Sequence, residues 1–311
     1  MAFAALRSWL LRGPQDTRQH LAPDPEPPPA DPPLVGAGRD PLWPASRLAV
    51  AEQLWGSGYL SPGAGSELLR FASPLGLSAS SSLLLLGAGA GGPPQTLATE
   101  LGVWVAAMEA DPELAELAAR RVQRAGAAQA KRASVVAWDP AAPRFGERRF
   151  HHALALEAIG HRDPAPVLAG LAAALKAHGQ VVLVETVAPV PLNAADPATA
   201  AWIRLEGRGP RLADPEALTR GLTRLGFGVR AVDDLSSRHM RLAIMGWRHF
   251  VRVMAREQPP QSRAGHDRAA AVVAEAELWT RRIRLMHSGQ IRLMRWHAVG
   301  PSGPRPEGAG A

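Results

Sequence analysis

A glycine-rich stretch at residues 84–94, LLLGAGAGGPP, carries the clearest chemical signal in the chain. Gly87, Gly89 and Gly92 match the spacing G-x-G-x-x-G, and Glu109 follows Gly89 by 20 residues. Glycines at this spacing let the backbone approach a ligand closely, and a carboxylate about 20 residues later accepts hydrogen bonds from ribose hydroxyls. The residues therefore predict a site for a nucleoside-type ligand, and a nicotinamide dinucleotide is one candidate.

Predicted strands and helices alternate around these glycines. Apolar strands are expected at 83–86, 103–109, 134–138, 152–156, 180–185 and 229–232, and helices at 94–101, 112–125, 164–176 and 215–225. Near-continuous apolar strands separated by helices are typical of a parallel sheet that is covered on both faces. The expected fold is α/β, a doubly wound, Rossmann-like, mostly parallel sheet with helices on both faces.

Three strand tips should meet in one crevice, because ligands of doubly wound sheets bind at the carboxyl ends of the strands. The first strand ends at Gly87, the second at Glu109 and the third at Asp139. Glu109 is placed to accept hydrogen bonds from both ribose hydroxyls, and Asp139 is placed to meet an adenine amino group. Asp139 also precedes Pro140, which is typical of an ordinary turn residue.

In order and spacing, about residues 45–300 resemble the class I S-adenosylmethionine-dependent methyltransferases. The resemblance is carried by LLLLGAGAGG, VAAMEADPELAELA, VVAWDP, and VLAGLAAALKAHGQVVLVE. The last of these segments favours the methyl donor over NAD. The resemblance implies an enzyme that transfers a methyl group from S-adenosylmethionine to a small-molecule acceptor by in-line displacement. The donor contacts that it implies are Ser61, Gly87, Gly89, Gly91, Glu109, Ala110 and Asp139.

More locally, three segments are similar to the phosphoethanolamine N-methyltransferase branch: GYLSPGA at 58–64, DDLSSRHMRLAIMGW at 233–247 and RLMRWHAVG at 292–300. This similarity implies an antiparallel last strand and a helical lid insertion at about 236–290. The sequence also departs from the family. Leu85 occupies a position that is usually acidic, and Tyr59 is the one tyrosine. A non-catalytic, donor-binding relative of the same fold is therefore an alternative.

Two residues after the fourth predicted strand are candidates for catalysis. His161 aligns with a catalytic histidine of that branch, and an ordinary histidine pKa of about 6.5 suits proton transfer. Its other interpretation is a helix-entry residue beside Asp163, a predicted N-cap. Glu157 is the second candidate. His151 and His152 are adjacent on a strand and point to opposite faces, so no metal site is predicted.

A basic segment near the C-terminus is a candidate for acceptor binding. Its arginines, with no acid between 281 and 295, are Arg281, Arg282, Arg284, Arg292 and Arg295. Arg292, with Arg208 and Arg211, can clamp a phosphate or a carboxylate, and the other interpretation is a solvated basic face. The tryptophans Trp247, Trp279 and Trp296 can surround an ammonium group or simply pack in the interior. The acceptor is therefore expected to be anionic or to bear an ammonium group.

Composition and chain ends suggest where the protein works. Ten of the 29 prolines lie within residues 1–44, so this segment is predicted to be disordered after a short amphipathic start at 1–12, as is the tail 301–311. The start can make a weak membrane-surface contact or be a frayed terminus. No apolar run approaches the ~18 residues of a membrane span, and no cysteine occurs, so a cytoplasmic protein is expected.

The net charge of +7 suggests anionic partners but is moderate for a nucleic-acid binder. The basic C-terminal segment and the N-terminal helix keep a methyltransferase acting on RNA or a membrane lipid open as an alternative. The sequence lacks the aromatic and basic pattern of RNA-binding modules, which makes nucleic acid the less favoured partner. Its composition and motifs do not predict an oligomeric state.

Overall fold

The computed structural model describes residues 41–207, 209, 211–256 and 262–302. The strands are β1 (Ser82–Leu86), β2 (Trp104–Glu109), β3 (Ala133–Ala137), β4 (Phe150–Leu156), β5 (Leu175–Val187), β6 (Gly228–Asp234) and β7 (Arg292–Val299). The helices are α1 (Ala45–Trp55), α2 (Ala64–Ala72), α3 (Gly92–Leu101), α4 (Pro112–Arg124), α5 (Ala127–Arg132), α6 (Pro164–Ala174), α7 (Pro197–Glu206), α8 (Pro215–Arg224), α9 (Ser236–Met254) and α10 (Arg263–His287). The predictions for residues 1–40 and 303–311 lie outside the described residues.

The seven strands form one sheet in the order β3-β2-β1-β4-β5-β7-β6. Strands β1 to β5 are parallel to one another, and β7 runs antiparallel to both β5 and β6. The chain leaves β1 towards β2 on one side and β4 lies on the other, so the strand order reverses at β1. This topology confirms the expected doubly wound sheet with an antiparallel last strand, and it places the ligand crevice at the carboxyl end of β1.

Strand β1 is buried on both of its faces. Leu83 and Leu85 pack into one apolar cluster, and Leu84 and Leu86 pack into another on the opposite side of the sheet. All four side chains are fully buried. The uninterrupted run of leucines is therefore the sequence of a central strand, and Leu85 belongs to the core.

The helical insertion predicted at about 236–290, between β6 and β7, consists of α9 and α10, and residues 257–261 between them are not described. Its apolar side packs on α1 in a third cluster, in which Trp55 and Trp279 meet edge to face at 4.9 Å between ring centroids. Within the described part of the chain, every helix is too short or too polar to cross a bilayer.

Aspartates fix the starts of the helices that follow the strands. Asp111 accepts hydrogen bonds from the backbone of Glu113 and Leu114, and a proline occupies the first turn of α4. Asp163 caps α6 in the same way, which confirms its interpretation as an N-cap. An acceptor at the N-cap and a proline just inside the helix are both favourable there, so local sequence determines where these helices begin.

Candidate functional site

A cavity of about 250 Å³ opens at the carboxyl ends of β1, β2 and β4. Its walls are completed by residues 42–47 at the start of α1, by the turn at 58–61, by Glu206 at the end of α7 and by residues of α10. The lining residues are Leu42, Trp43, Arg47, Gly58, Tyr59, Leu60, Ser61, Gly87, Gly89, Pro93, Glu109, Ala110, Leu114, Trp138, Leu156, Glu157, Ala158, Arg162, Glu206, Glu275, Leu278, Trp279 and Arg282. Two of them, Leu42 and Trp43, belong to the segment that the sequence assigned to the disordered N-terminus.

The glycine loop between β1 and α3 presses against its surroundings. Gly87 has a φ of +82°, and a Cβ there would come within 2.3 Å of the carbonyl oxygen of Leu156. A Cβ on Gly91 would meet the backbone of Ala118 at 3.0 Å, whereas one on Gly89 would lie at ordinary contact distances, 3.6 Å from Leu60 and 3.7 Å from the carbonyl oxygen of Gly58. Gly87 and Gly91 thus allow close packing, and Gly89 leaves room for a ligand.

Glu109 ends β2 and lies directly against this loop, at the edge of the cavity. Its Oε2 accepts a hydrogen bond from the N–H of Gly89 at 2.8 Å, and its Oε1 accepts from Ala110 at 2.8 Å and from Asp111 at 3.2 Å. Burial raises the pKa of this carboxyl above its ordinary value, while the three backbone donors act in the opposite direction. A carboxylate has about four acceptor sites, so with three backbone donors in place Glu109 keeps about one, on Oε2, for a hydroxyl group.

The third strand tip differs from the expected arrangement. Asp139 is exposed, and its Oδ1 accepts a hydrogen bond from the N–H of Ala141 at 2.8 Å, as a turn residue does. The described residues that line the cavity include Trp138 in its place. Trp138 is held edge to face against Phe145, with ring centroids 5.3 Å apart. This side of the cavity therefore has an aromatic wall, formed by the tryptophan of the VVAWDP segment.

The segment that the resemblance placed over the donor also lies at the cavity. Ser61 lines it, together with Gly58, Tyr59 and Leu60. The hydroxyl of Tyr59 is hydrogen-bonded to Thr96 Oγ1 at 2.6 Å, and burial raises the pKa of this phenol. Ser61, Gly87, Gly89, Glu109 and Ala110 are thus brought together.

A buried charge cluster forms the other end of the cavity. Glu157 has a φ of +47°, and its Oε1 accepts hydrogen bonds from Arg282 at 2.6 Å and from Thr186 at 2.7 Å. Arg282 also donates to Glu206 at 2.6 Å and to Thr186 at 2.8 Å. Its side chain is 6% exposed, against 8% for Glu206 and 24% for Glu157. The sequence indicated Glu157 and Arg282 but neither Glu206 nor Thr186, whose importance comes from contacts between distant segments.

A histidine that the sequence did not indicate lies beside this cluster. His239, on α9, is buried, and its ring is 5.5 Å from that of Trp279. Burial, and then the charge of Arg282, lowers its pKa from 6.5 to about 3. The imidazole is therefore neutral at physiological pH and adds no positive charge to this end of the cavity.

His161 is exposed, and the described residues that line the cavity do not include it. Its ring packs on Gly209, where a Cβ would come within 3.1 Å. Gly209, which follows α7, therefore lies directly against His161. Arg162, the residue after His161, lines the cavity.

The predicted arginine clamp is arranged differently. Arg292 forms an ion pair with Asp234 at 3.8 Å, and Arg295 pairs with Asp233 at 2.7 Å. Neither Arg292 nor the exposed Arg211 is among the described residues that line the cavity, and Arg208 lies outside the described residues. Cations from other positions reach the walls instead, namely Arg47, Arg162 and Arg282.

Only part of the predicted tryptophan set reaches the cavity. Trp279 lines it and donates a hydrogen bond to Glu275 at 3.0 Å, and Trp43 lines it with the guanidinium of Arg47 above its ring at 4.3 Å. Trp247 and Trp296 are buried in apolar clusters, so they serve packing.

No protein-family model matches the chain, and no curated protein matches its sequence. Solved structures do match its fold. Phosphoethanolamine N-methyltransferase 2 of Haemonchus contortus, in complex with S-adenosyl-L-methionine, superposes with a TM-score of 0.68 at 17% identity, over 82% of this chain and 56% of that one. The chain thus spans little more than half the length of that enzyme.

Two further structures have the same fold. A putative sarcosine dimethylglycine methyltransferase from Galdieria sulphuraria matches with a TM-score of 0.65 at 12% identity, over 82% of this chain and 98% of that one. The [4+2]-cyclase SpnF matches with a TM-score of 0.61 at 17% identity, over 84% and 98%. The chain therefore has the fold of the class I S-adenosylmethionine-dependent methyltransferases. A fold does not by itself determine chemistry, so the activity must be argued from the site.

Proposed function

We propose that the protein transfers a methyl group from S-adenosylmethionine to a small-molecule acceptor. The observation that carries the proposal is the pairing of Glu109 with the backbone of Gly89 at the point where the strand order reverses. A carboxylate at this place suits a ribose hydroxyl, and the bare backbone of Gly89 leaves room for the rest of the donor.

The residues present fit such a donor along the length of the cavity. Glu109 and Ala110 would hold the ribose, and Trp138 would flank the adenine. The amino-acid end would lie near Gly87 and Ser61, which places the reactive end towards Glu157. When bound, S-adenosylmethionine supplies an electrophilic methyl carbon on a cationic sulfur, and the chain needs mainly to align a nucleophile with it.

The charges around Glu157 favour an acceptor that bears an amine. The carboxylates of Glu157 and Glu206 both pair with Arg282, and His239 is neutral. Arg47 is matched by Glu275, and Arg162 is exposed. The carboxylate of Glu157 lines this end of the cavity, and a carboxylate suits an ammonium group better than a phosphate.

Two residues remain proposed for proton transfer. Glu157 faces the cavity but is held by Arg282 and Thr186, which suits orientation and stabilisation of positive charge. His161 carries the proposed role of base, and it would act on an acceptor that reaches the loop at Gly209. A cytoplasmic location and a membrane-surface contact through residues 1–12 are predictions that these contacts leave untouched.

The alternatives differ in what the structure offers them. The core position of Leu85 keeps a non-catalytic, donor-binding relative as the second candidate, because the usual acid beside the donor's charged end is replaced by a buried leucine. An RNA or lipid acceptor was suggested by the basic C-terminal segment, but Arg281, Arg292 and Arg295 are paired with acids there.

A turnover assay tests the proposal. The full chain is incubated with methyl-labelled S-adenosylmethionine and pools of primary amines, secondary amines, phosphorylated amines and carboxylic acids, and S-adenosylhomocysteine is measured. We expect formation with at least one amine pool, lost in Glu109→Ala and retained in Glu116→Ala, an exposed acid on α4. If the chain binds the donor but forms no product with any of the pools, the result would favour the non-catalytic relative.

A further inference from the structure

The segment 56–61, which covers one side of the cavity, touches the glycine loop through its backbone. The N–H of Gly92 donates to the carbonyl oxygen of Gly58 at 3.0 Å. Gly58 has a φ of +80°, and a Cβ there would lie 2.4 Å from the nitrogen of Gly92. Only glycine fits this conformation and this contact, so the two backbones are built to meet.

The ion pair of Glu52 with Arg121 stabilises this contact from outside the cavity. Oε1 of Glu52, on α1, accepts a hydrogen bond from the N–H of Gly58 at 2.9 Å and lies 2.6 Å from Nη1 of Arg121. The same Nη1 of Arg121, on α4, donates to the carbonyl oxygen of Ala90 in the glycine loop at 2.8 Å. Two side chains therefore tie α1, the turn at Gly58, the glycine loop and α4 together.

These contacts hold the glycine loop, which lacks the usual acid before its first glycine. The resemblance places a carboxylate two residues before the first glycine, where it orients the loop, and here that position is the core residue Leu85. The bonds to Ala90 and to Gly92 restrain the loop from its other side. The restraint depends on Arg121 and Glu52, since they hold both partners of the contact.

We propose that Arg121 and Glu52 are positioning residues for the methyl donor. They hold segment 56–61 against the glycine loop, and we call these contacts of Glu52 and Arg121 with Gly58 and Ala90 the latch. A bound donor leaves only when the latch opens. The described residues that line the cavity include neither of them, so they act through Gly58 and Ala90 and do not touch the donor. The proposal rests on the proposed function, because it takes the ligand at the glycine loop to be S-adenosylmethionine.

The latch predicts an effect on dissociation more than on association. In Arg121→Met, the bonds to Ala90 and to Glu52 are both lost, and the segment opens more often. We expect S-adenosylhomocysteine to dissociate about tenfold faster, with a matching rise in Kd, because the lost bonds involve a charged group. Glu52→Gln keeps an acceptor for Gly58 but loses the charge, so its effect should be smaller.

The test is stopped-flow measurement of S-adenosylhomocysteine dissociation from the full chain. Arg120→Met is the matched control, because Arg120 is the neighbouring residue on α4 and pairs only with the exposed Glu116 in the described structure. The double variant Glu52→Gln/Arg121→Met should dissociate no faster than Arg121→Met, since both changes break one latch. The exchanged pair Glu52→Arg/Arg121→Glu should not recover, because arginine cannot accept from Gly58 and glutamate cannot donate to Ala90.

Hydrogen exchange of the ligand-free chain provides a second measurement that a general loss of stability cannot imitate. The amides of Gly58 and Gly92 should exchange faster in Arg121→Met, while amides in β4 and β5 keep their protection. If both single variants keep the wild-type rate of S-adenosylhomocysteine dissociation and the wild-type hydrogen exchange, the latch is overturned and the proposed function is not. Failure of the wild-type chain to bind S-adenosylhomocysteine would overturn the proposed function and the latch with it.

Discussion

Replacing Arg282 with methionine should be the most damaging single change at the acceptor end of the cavity. The guanidinium lies between Glu157 and Glu206, with nitrogen to oxygen distances of 2.6 Å to each. It also donates to the buried hydroxyl of Thr186. Arg282→Met preserves much of the side-chain volume but removes the guanidinium with which both carboxylates pair.

The structure sets the size of this effect. Removing one partner of a buried ion pair costs about 3–5 kcal/mol, because the remaining charge is left uncompensated. Glu206 and Arg282 are nearly inaccessible, but Glu157 is 24% exposed and can regain some water. We therefore expect a loss of about 3 kcal/mol in the free energy of unfolding.

Urea denaturation at pH 7 measures this loss. The control is Arg281→Met, since the adjacent Arg281 pairs with Glu277 one turn away at the surface and should contribute at most about 0.5 kcal/mol. Adding Glu206→Gln to Arg282→Met should recover part of the loss, because one of the two carboxylate charges is then removed. A loss below about 1 kcal/mol for Arg282→Met, or one equal to that of Arg281→Met, would refute the reasoning.

Three further predictions concern other groups at or near the site. The folded-state pKa of His239, about 3, lies below the ordinary 6.5, so the contribution of its neutral ring to the free energy of unfolding is complete above pH 6.5 and is lost as the pH falls towards 3. Urea denaturation should therefore show that the free energy of unfolding falls by up to about 2 kcal/mol between pH 7 and pH 5, and His239→Phe should remove this fall. Trp138→Ala should weaken S-adenosylhomocysteine binding about tenfold in a fluorescence titration, and Asp139→Ala should leave it unchanged, because only Trp138 lines the cavity. Gly87→Ala should lower the free energy of unfolding by more than about 2 kcal/mol, since its Cβ would contact Leu156, whereas Gly76→Ala, with open space around its Cβ, should lose about 1 kcal/mol.

The fold was predictable from short sequence patterns, because the residues within each segment determine whether it forms a strand or a helix and where that element begins. The leucine run at β1 matches a strand buried on both faces, and Asp111 and Asp163 mark helix starts by accepting backbone hydrogen bonds. Glu109 and the glycine loop were predictable for the same reason. Their spacing along the chain fixes the geometry of one strand, one turn and the next strand.

Contacts between distant segments explain what sequence reasoning missed. Glu206 becomes part of the site only because α10 brings Arg282 to it, across 76 residues of sequence. Arg292 and Arg295 looked equally suited to bind an anion, but their acidic partners lie on the neighbouring strand β6. Trp138 and Asp139 are adjacent, and the choice between them depends on which way the strand ends, which the pattern alone does not specify.

The central claim is that the glycine loop and Glu109 hold S-adenosylmethionine. Calorimetric titration of the purified full chain with S-adenosylmethionine, S-adenosylhomocysteine and NAD tests it most directly. We predict micromolar binding of the two sulfur nucleosides, lost in Glu109→Ala, and no comparable binding of NAD. Binding of NAD in their place, or binding that survives Glu109→Ala unchanged, would contradict the claim.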